Sequence, residues 1–229
     1  MNPLDAPAWA SLSHTHRHLA VGEGKALRYA PDINRFAATA DDSPDAMADL
    51  AGLIGQGDSV YLLQARPIMV PGGLRVAMAR SCVQLVATDG LTHTGQDQRP
   101  DIDITVLGDD DAAHMLALAM LTRPGPFLRH THRMGRFVGI RVAGTLVAMA
   151  GERFRFPGYT EVSGVCTHPD YRGRGFAAAL SRHVATRILA RGDIPFLQSW
   201  SSNTHAVRLY QRLGFRIRRE IHVAALERS

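Results

Sequence analysis

Apolar residues in the second half of the chain follow two spacings, one typical of helices and the other typical of strands. The clearest helical pattern covers 175–191, where Phe176, Leu180, Val184 and Ile188 recur every fourth residue. Short apolar runs bounded by Gly, Pro or Asp predict buried strands, and the predicted order is β α α β β β α β α β. Predicted strands cover 102–107, 136–142, 145–152, 159–168, 195–201 and 215–226, and the other predicted helices cover 109–122, 127–134 and 203–213.

The first hundred residues carry the same kinds of pattern less clearly. The segment Ser43-Pro44-Asp45 has the residues of a helix start and predicts a helix over 44–55. From residue 88 to residue 100 the sequence becomes polar and rich in turn formers. We therefore predict an N-terminal α/β region over 1–100 and a second domain over 101–229. The remaining elements predicted in the first region are a short helix at 8–20 and strands at 25–30, 59–65, 74–80 and 82–87.

Composition narrows the class of protein. The chain has 229 residues, 45% of them hydrophobic, which is enough to bury a core. Residues 1–100 carry eight basic and ten acidic side chains, and 101–229 carry eighteen and eleven, so the net charges are about −2 and +7. A basic second half suits an anionic ligand, either a phosphorylated cofactor or a nucleic acid. No apolar run approaches the roughly 18 residues of a membrane span, so we expect a soluble, cytoplasmic protein that binds no membrane.

One segment has a sequence pattern that predicts an anion-binding site. Residues 165–177 run from a predicted strand through a glycine-rich loop into the first turn of a helix. Such a turn directs several unpaired N–H groups and the positive end of the helix dipole at one point, which suits a pyrophosphate. Gly173 and Gly175 allow loop conformations that other residues resist and let an anion approach the backbone.

The same segment resembles a known family. Arg172-x-x-Gly175-x-Ala177 matches the Q/R-x-x-G-x-G/A loop of the GNAT superfamily of N-acetyltransferases, and the segment from Asn203 to Phe215 looks like the helix that follows in that family. The resemblance covers about residues 101–229. It implies the α/β (α+β) GNAT acyl-CoA acyltransferase fold, with a mixed, mainly antiparallel sheet. The element order of 1–100 resembles the first half of the same fold, so a degenerate half-GNAT is an alternative for that region.

The resemblance also implies roles for individual residues. Backbone groups of 165–167 would pair with the pantetheine arm of acetyl-CoA, and the amides of 173–178 would hold the pyrophosphate. Tyr210 would protonate the departing thiolate as general acid, and Glu161 would act as the general base. The expected cofactor contacts are Val165, Cys166, Thr167, Arg172, Gly173, Arg174, Gly175, Phe176, Ala177, Ala178 and Asn203.

The implied activity is transfer of an acetyl group from acetyl-CoA directly to a primary amine. An amine with a pKa near 10 must lose a proton before it attacks, and a carboxylate base would remove that proton. The acceptor is a small molecule, an amino acid or a protein, and a homo-oligomer is compatible with the sequence. The alternative is a non-catalytic acetyl-CoA sensing module with a protein partner. Nucleic-acid binding is disfavoured, because the arginines are scattered and few aromatic residues are placed to stack on bases.

Other interpretations of the same residues are weaker. Gly173-x-Gly175-x-x-Ala178 also fits a dinucleotide-binding fingerprint, but the acid that should close the second strand, Asp193, precedes a strand instead. The histidines at 14, 16 and 18 and at 130 and 132 have no third ligand at a recognisable spacing, so no metal site is predicted. Glu161 could be a salt-bridged strand residue, Tyr210 could be a core residue, and Cys166 is expected to be a small buried residue rather than a nucleophile.

The chain departs from the family at its C-terminus. Only 216–229 remain after the Gly-Phe pair, where family members usually end in a longer hairpin. Either the sheet is short at that edge, or the first hundred residues complete it.

Overall fold

The strands form one small sheet and one large sheet. The computed structural model describes residues 2–93 and 102–229. The small sheet is antiparallel, in the order β1-β2-β3. Within these ranges the large sheet has eight strands in the order β4-β11-β5-β10-β9-β8-β7-β6, and every neighbouring pair is antiparallel except β9 and β10. The strands are β1 Ala20–Val21, β2 Ala26–Tyr29, β3 Ala37–Thr39, β4 Ser59–Gln64, β5 Leu74–Ala87, β6 Thr105–Leu107, β7 Phe137–Val142, β8 Thr145–Phe156, β9 Tyr159–Thr167, β10 Ile194–Trp200 and β11 Phe215–Arg228.

Six α-helices in the described parts of the chain accompany these strands. Side chains alternate across the sheet, so neighbouring residues of β8 and β9 pack on different helices. Leu146, Met149 and Cys166 pack in the cluster of α4, whereas their neighbours Val147, Ala150 and Val165 pack in the cluster of α5. The helices α4 and α5 therefore cover opposite faces of the sheet. The helices are α1 Pro7–Leu12, α2 Pro44–Gly52, α3 Gly90–His93, α4 Ala112–Thr122, α5 Phe176–Ala190 and α6 Thr204–Arg212.

The first hundred residues supply two strands of the large sheet. β5 lies between β10 and β11, and β4 pairs with the outer side of β11. The first region therefore completes the sheet, which is the second of the two alternatives above. The mixed, mainly antiparallel sheet is confirmed. The division into domains near residue 100 and the duplicated half-domain stay predictions.

The helix predicted over 127–134 is wrong. Only Thr131–Met134 is helical, as a short 3-10 turn. Backbone and side-chain groups of this segment bond to distant residues instead: His130 N donates to Asp32 O at 3.1 Å, and Thr131 Oγ1 donates to Ile33 O at 2.6 Å. Tertiary hydrogen bonds to the N-terminal region thus replace the local hydrogen bonds of a helix.

Most other boundaries agree with the sequence to within two residues, but several differ by more. β8 continues to Phe156, beyond the predicted end at 152, and α2 ends at Gly52, before the predicted end at 55. The short strands β1 and β3 were not predicted. The runs at 74–80 and 82–87 form the single strand β5, because Ser81 pairs with β11 and continues the ladder. The helix expected over 8–20 ends at Leu12, and the strand expected over 102–107 begins at Thr105.

Candidate active site

The two parallel strands β9 and β10 pair over a short segment and then separate. Their register runs from Tyr159 with Ile194 to Glu161 with Phe196. β9 continues to pair with β8 as far as Thr167. A cavity of about 710 Å³ lies where the strands part, within the roughly 300–1,000 Å³ typical of ligand pockets. Backbone groups on the β10 side of β9 beyond Glu161 have no partner strand there, so an extended ligand can use them.

A bulge in β9 accompanies this separation. The pairing of β9 with β8 shifts register between Met149 and Gly151, opposite Gly164. Gly164 has a φ of +64°, and a Cβ there would lie 2.9 Å from Cε1 of Phe137. Glycine is therefore required both by the backbone conformation and by the Phe137 ring.

The glycine-rich loop closes one end of the cavity. Gly173 and Gly175 have φ angles of +77° and +80°, as a tight loop requires. The N–H of Ala179 donates to Gly175 O, so the amides of 176–178 lie before the helical ladder at the positive end of α5. The Arg174 guanidinium lies 4.8 Å from the centre of the Tyr171 ring. This end of the cavity can bind an anion through backbone amides and arginines.

Two predicted residues lie at the start of α6 and on its buried face. Asn203 caps the helix, because its Oδ1 accepts from the N–H of Ala206 at 3.1 Å. Tyr210 is 8% exposed, lines the cavity and packs against Phe215. Burial, together with a smaller contribution from Cys166, raises the pKa of Tyr210 to about 12. The phenol therefore keeps its proton at neutral pH and can donate it.

Glu161 is fully buried and held by neighbouring side chains. Its carboxylate accepts from Arg153 Nε at 2.7 Å and from Arg153 Nη2 at 2.8 Å. Gln198 Nε2 donates to the same carboxylate at 3.3 Å. Arg153 lines the cavity in front of Glu161, and Glu161 is not part of the lining. This geometry favours a role in positioning Arg153 and Gln198, while the base role stays a prediction.

Cys166 lies in the cavity wall as a buried thiol. Burial raises its pKa to about 11. A thiol that stays protonated at neutral pH is a poor nucleophile. The geometry agrees with the expected packing role.

The structure brings the predicted cofactor residues to one cavity. Their contacts with a cofactor stay predictions, because the geometry gives only their shared position. The predicted residues that line the cavity are Val165, Cys166, Thr167, Arg172, Gly173, Arg174, Gly175, Phe176, Ala177, Ala178, Asn203 and Tyr210.

Sequence reasoning missed a second group of lining residues. Gln198 comes from a strand predicted only as a core element, Arg153 lies one residue beyond the predicted strand 145–152, and Phe36, Tyr61 and Leu63 come from the first hundred residues. Arg153 had a detectable signal, since a charged residue next to Phe154 at the end of an apolar run needs a partner when it is buried. The N-terminal residues had none, because only the tertiary fold brings them to the cavity.

Neither a metal site nor a membrane-binding site is predicted from the sequence. Within 2–93 and 102–229, no group of three or more His, Cys, Asp or Glu side chains is arranged to hold a metal ion. His130 contacts Asp32 at 2.8 Å, and His132 contacts Asp109 at 2.6 Å. No helix in these ranges has the length and apolar character to cross a membrane.

Two sequence comparisons each match part of the chain. The family model described as FR47-like protein matches residues 137–223. N-alpha-acetyltransferase RimI of Mycobacterium tuberculosis (strain ATCC 25618 / H37Rv) is 36% identical over 89 residues, which is 38% of this chain and 52% of that relative. The match thus spans about half the length of the curated relative.

Solved structures match the whole chain. A GNAT-family protein from Novosphingobium aromaticivorans DSM 12444 is 42% identical, with 100% of both chains covered and a TM-score of 0.88. A GCN5-related N-acetyltransferase from Kribbella flavida shares the fold at 18% identity, with a TM-score of 0.65 and coverage of 96% of this chain and 93% of that one. With its splayed parallel strands and glycine-rich loop, the chain belongs to the GNAT family of acetyltransferases.

Proposed function

We propose that the protein is an N-acetyltransferase that moves an acetyl group from acetyl-CoA to a primary amine. The observation that carries the proposal is a single cavity that joins the anion-binding loop, the unpaired edge of β9 and Tyr210. Pyrophosphate at the loop and an extended pantetheine arm along β9 would bring the thioester toward Tyr210. The mycobacterial relative is named an N-alpha-acetyltransferase, which supports the same class of reaction.

The chemistry of the proposed step needs little beyond these groups. The amine nitrogen attacks the thioester carbonyl carbon, the C–S bond breaks, and the electron pair leaves on sulfur. Tyr210 donates its proton to that thiolate and regains one from solvent. The acceptor ammonium loses one proton to solvent before it attacks, and the attacking nitrogen loses a second proton to solvent as the tetrahedral intermediate collapses, so one proton is released overall. No covalent enzyme intermediate is required, consistent with Cys166 being a protonated, buried thiol.

The first experiment measures binding and turnover together. Calorimetric titration with acetyl-CoA and CoA should give micromolar binding, and Gly175→Glu should abolish it by placing a carboxylate in the anion site. Gly192→Glu is the matched control, since Gly192 also has a positive φ, of +84°, and open space around it, but lies after the other end of α5. Thiol release from acetyl-CoA with a panel of amines then tests transfer. Tight binding without release on any amine would instead support a non-catalytic sensing module.

A further inference from the structure

The end of the cavity away from the glycine-rich loop is a wall of adjacent strands. Leu63 of β4 is paired with Val223 of β11, and Cys82 of β5 is paired with Trp200 of β10. Because β5 and β11 are themselves neighbours, these side chains form one continuous surface. Tyr61 is two residues from Leu63 and therefore lies on the same face of β4.

We call the surface formed by Phe36, Tyr61, Leu63, Cys82 and Val223 the acceptor wall. This acceptor wall is apolar and enclosed. Phe36, Leu63, Cys82 and Val223 line the cavity although only 2%, 5%, 6% and 3% of each residue is exposed. The part-buried ring of Tyr61 packs against Phe36, with their centres 6.0 Å apart. Such a surface gains free energy by covering an apolar or aromatic group, at roughly 25 cal/mol per Å² of apolar area buried.

The charged groups around the cavity are almost all positive. Within the described parts of the chain, no Asp or Glu side chain belongs to its lining. The charge of Arg153 is offset from behind by Glu161, which occupies Nε and Nη2. A second ammonium group on an acceptor would therefore lose water without meeting a carboxylate, which is costly. The cationic side chains of the lining are Arg123, Arg153, Arg172, Arg174 and Arg212, together with the titratable His205.

One polar atom in this region has an unused hydrogen-bonding capacity. Gln198 lines the cavity, and its Nε2 donates to Glu161. A carboxylate only accepts, so the amide must turn its NH₂ toward Glu161 and leave Oε1 free. That Oε1 is buried and has no hydrogen-bond partner among the residues that the structure describes. A ligand that donates one N–H would satisfy it.

We infer that the acceptor is a small primary monoamine that carries an aromatic or branched aliphatic group. The apolar group lies on the acceptor wall, and Gln198 Oε1 accepts an N–H from the amine. Diamines and polyamines are disfavoured, because their second ammonium has no counter-charge. This inference rests on the proposed function and adds the substrate class.

The inference also gives the N-terminal region a part in specificity. Phe36, Tyr61, Leu63 and Cys82 all belong to the first hundred residues, yet they form most of the acceptor wall. Differences in that region would then change which amine is acetylated without altering the acetyl-CoA loop.

The test compares kcat/KM at saturating acetyl-CoA for 2-phenylethylamine and 3-methylbutylamine against 1,4-diaminobutane and spermidine. We expect the two monoamines to be preferred by at least thirtyfold. Tyr61→Glu should shift that ratio at least tenfold toward 1,4-diaminobutane by supplying the missing carboxylate. The matched control Val76→Glu adds a carboxylate to a 44% exposed position of β5 outside the cavity and should leave the ratio unchanged. With 2-phenylethylamine as the acceptor, Gln198→Leu should show a KM about tenfold higher, while the Kd of acetyl-CoA stays unchanged.

Three outcomes would overturn the inference, and they are distinguishable. Equal or better turnover of the diamines by the unaltered protein rejects the substrate class and leaves the N-acetyltransferase intact. Acetyl-CoA binding with no turnover of any amine rejects the proposed function and the inference with it. A Tyr61→Glu protein that binds acetyl-CoA normally but keeps the original ratio rejects the assignment of the acceptor wall.

Discussion

His16 shows how burial fixes the protonation state of a single residue. Its Nδ1 lies 3.0 Å from both Ser11 Oγ and Tyr29 Oη, and its ring is 3% exposed. Burial, together with smaller contributions from the positive charges of His18 and Arg155, lowers the pKa of His16 to about 4. The neutral ring is therefore part of the folded structure, joining α1 to β2.

Acid should destabilise the protein through this residue. With an unfolded pKa near 6.5 and a folded pKa of about 4, the unfolded chain binds more protons between those values. Stability is therefore complete above about pH 6.5 and is lost as the pH falls toward 4, by on the order of 3 kcal/mol. Urea unfolding at pH 7.5 and pH 5 measures this. His16→Gln should flatten the dependence and the exposed control His18→Gln should not, so equal slopes in all three proteins would refute the assignment.

A substitution at Tyr210 tests its proposed role as the general acid. Tyr210→Phe removes only the hydroxyl, so kcat should fall by roughly 10²-fold, the scale of a lost general acid, with the Kd of acetyl-CoA unchanged. Because the pKa of Tyr210 is raised to about 12, the unaltered enzyme should show no loss of this acid below about pH 11. Tyr159→Phe, outside the cavity lining, is the control. An unchanged kcat would make Tyr210 a packing residue.

At the scale of single residues, the sequence predicted the features that depend on a short local motif. Gly173, Gly175 and Asn203 have the backbone geometry or capping contact expected from their local pattern. The Arg153–Glu161 pair could not be foreseen, because its two members lie on different strands and meet only through the register of β8 with β9.

At the scale of elements, β9 determines where the cavity opens. The strand must pair with β8 on one side and leave β10 on the other, and the bulge at Gly164 accompanies that change. The sequence predicted β9 and its neighbours as strands, since their apolar runs are local. It could not predict the bulge, because that feature depends on the Phe137 ring from another strand.

Gly164→Ala should therefore affect both stability and cofactor binding. The alanine would meet the Phe137 ring as well as an unfavourable φ, so the free energy of unfolding should fall by about 2–4 kcal/mol. The Kd of acetyl-CoA should rise at least tenfold as β9 shifts. Gly158→Ala is the matched control, since Gly158 has a φ of +80° but no atom within 4 Å of its added Cβ. That variant should lose only about 1 kcal/mol, and equal effects at both positions would show that the ring contact is unimportant.

At the scale of the molecule, the two sequence regions share one sheet. β5 pairs with β10 on one side and β11 on the other. The sequence predicted the strands but not this insertion, because an apolar run records burial and not the identity of its neighbours. The polar stretch at 88–100 indicated a domain boundary, although the strands before it lie inside the sheet.

A fragment of residues 101–229 should not fold alone. Without β5, the facing edges of β10 and β11 would lose their partner, and Leu85 would leave the core that holds Leu197 and Phe215. We expect no cooperative thermal transition by circular dichroism and no acetyl-CoA binding by calorimetry, in contrast to the full chain. Adding a separate 2–93 fragment should restore both in part. A cooperative transition of 101–229 alone would support an independent domain.

The position of β5 also constrains the order of events during synthesis. Gln84 and Arg218 are hydrogen-bonded although 134 positions separate them, and many pairs in this part of the sheet are equally distant in sequence. On the ribosome, β5 emerges early and waits with both edges unpaired until β10 and β11 have been made. High contact order of this kind slows folding and exposes strand edges to aggregation. Production of the protein should therefore depend on chaperones and on low temperature more than that of a GNAT-family chain whose sheet is built from consecutive strands.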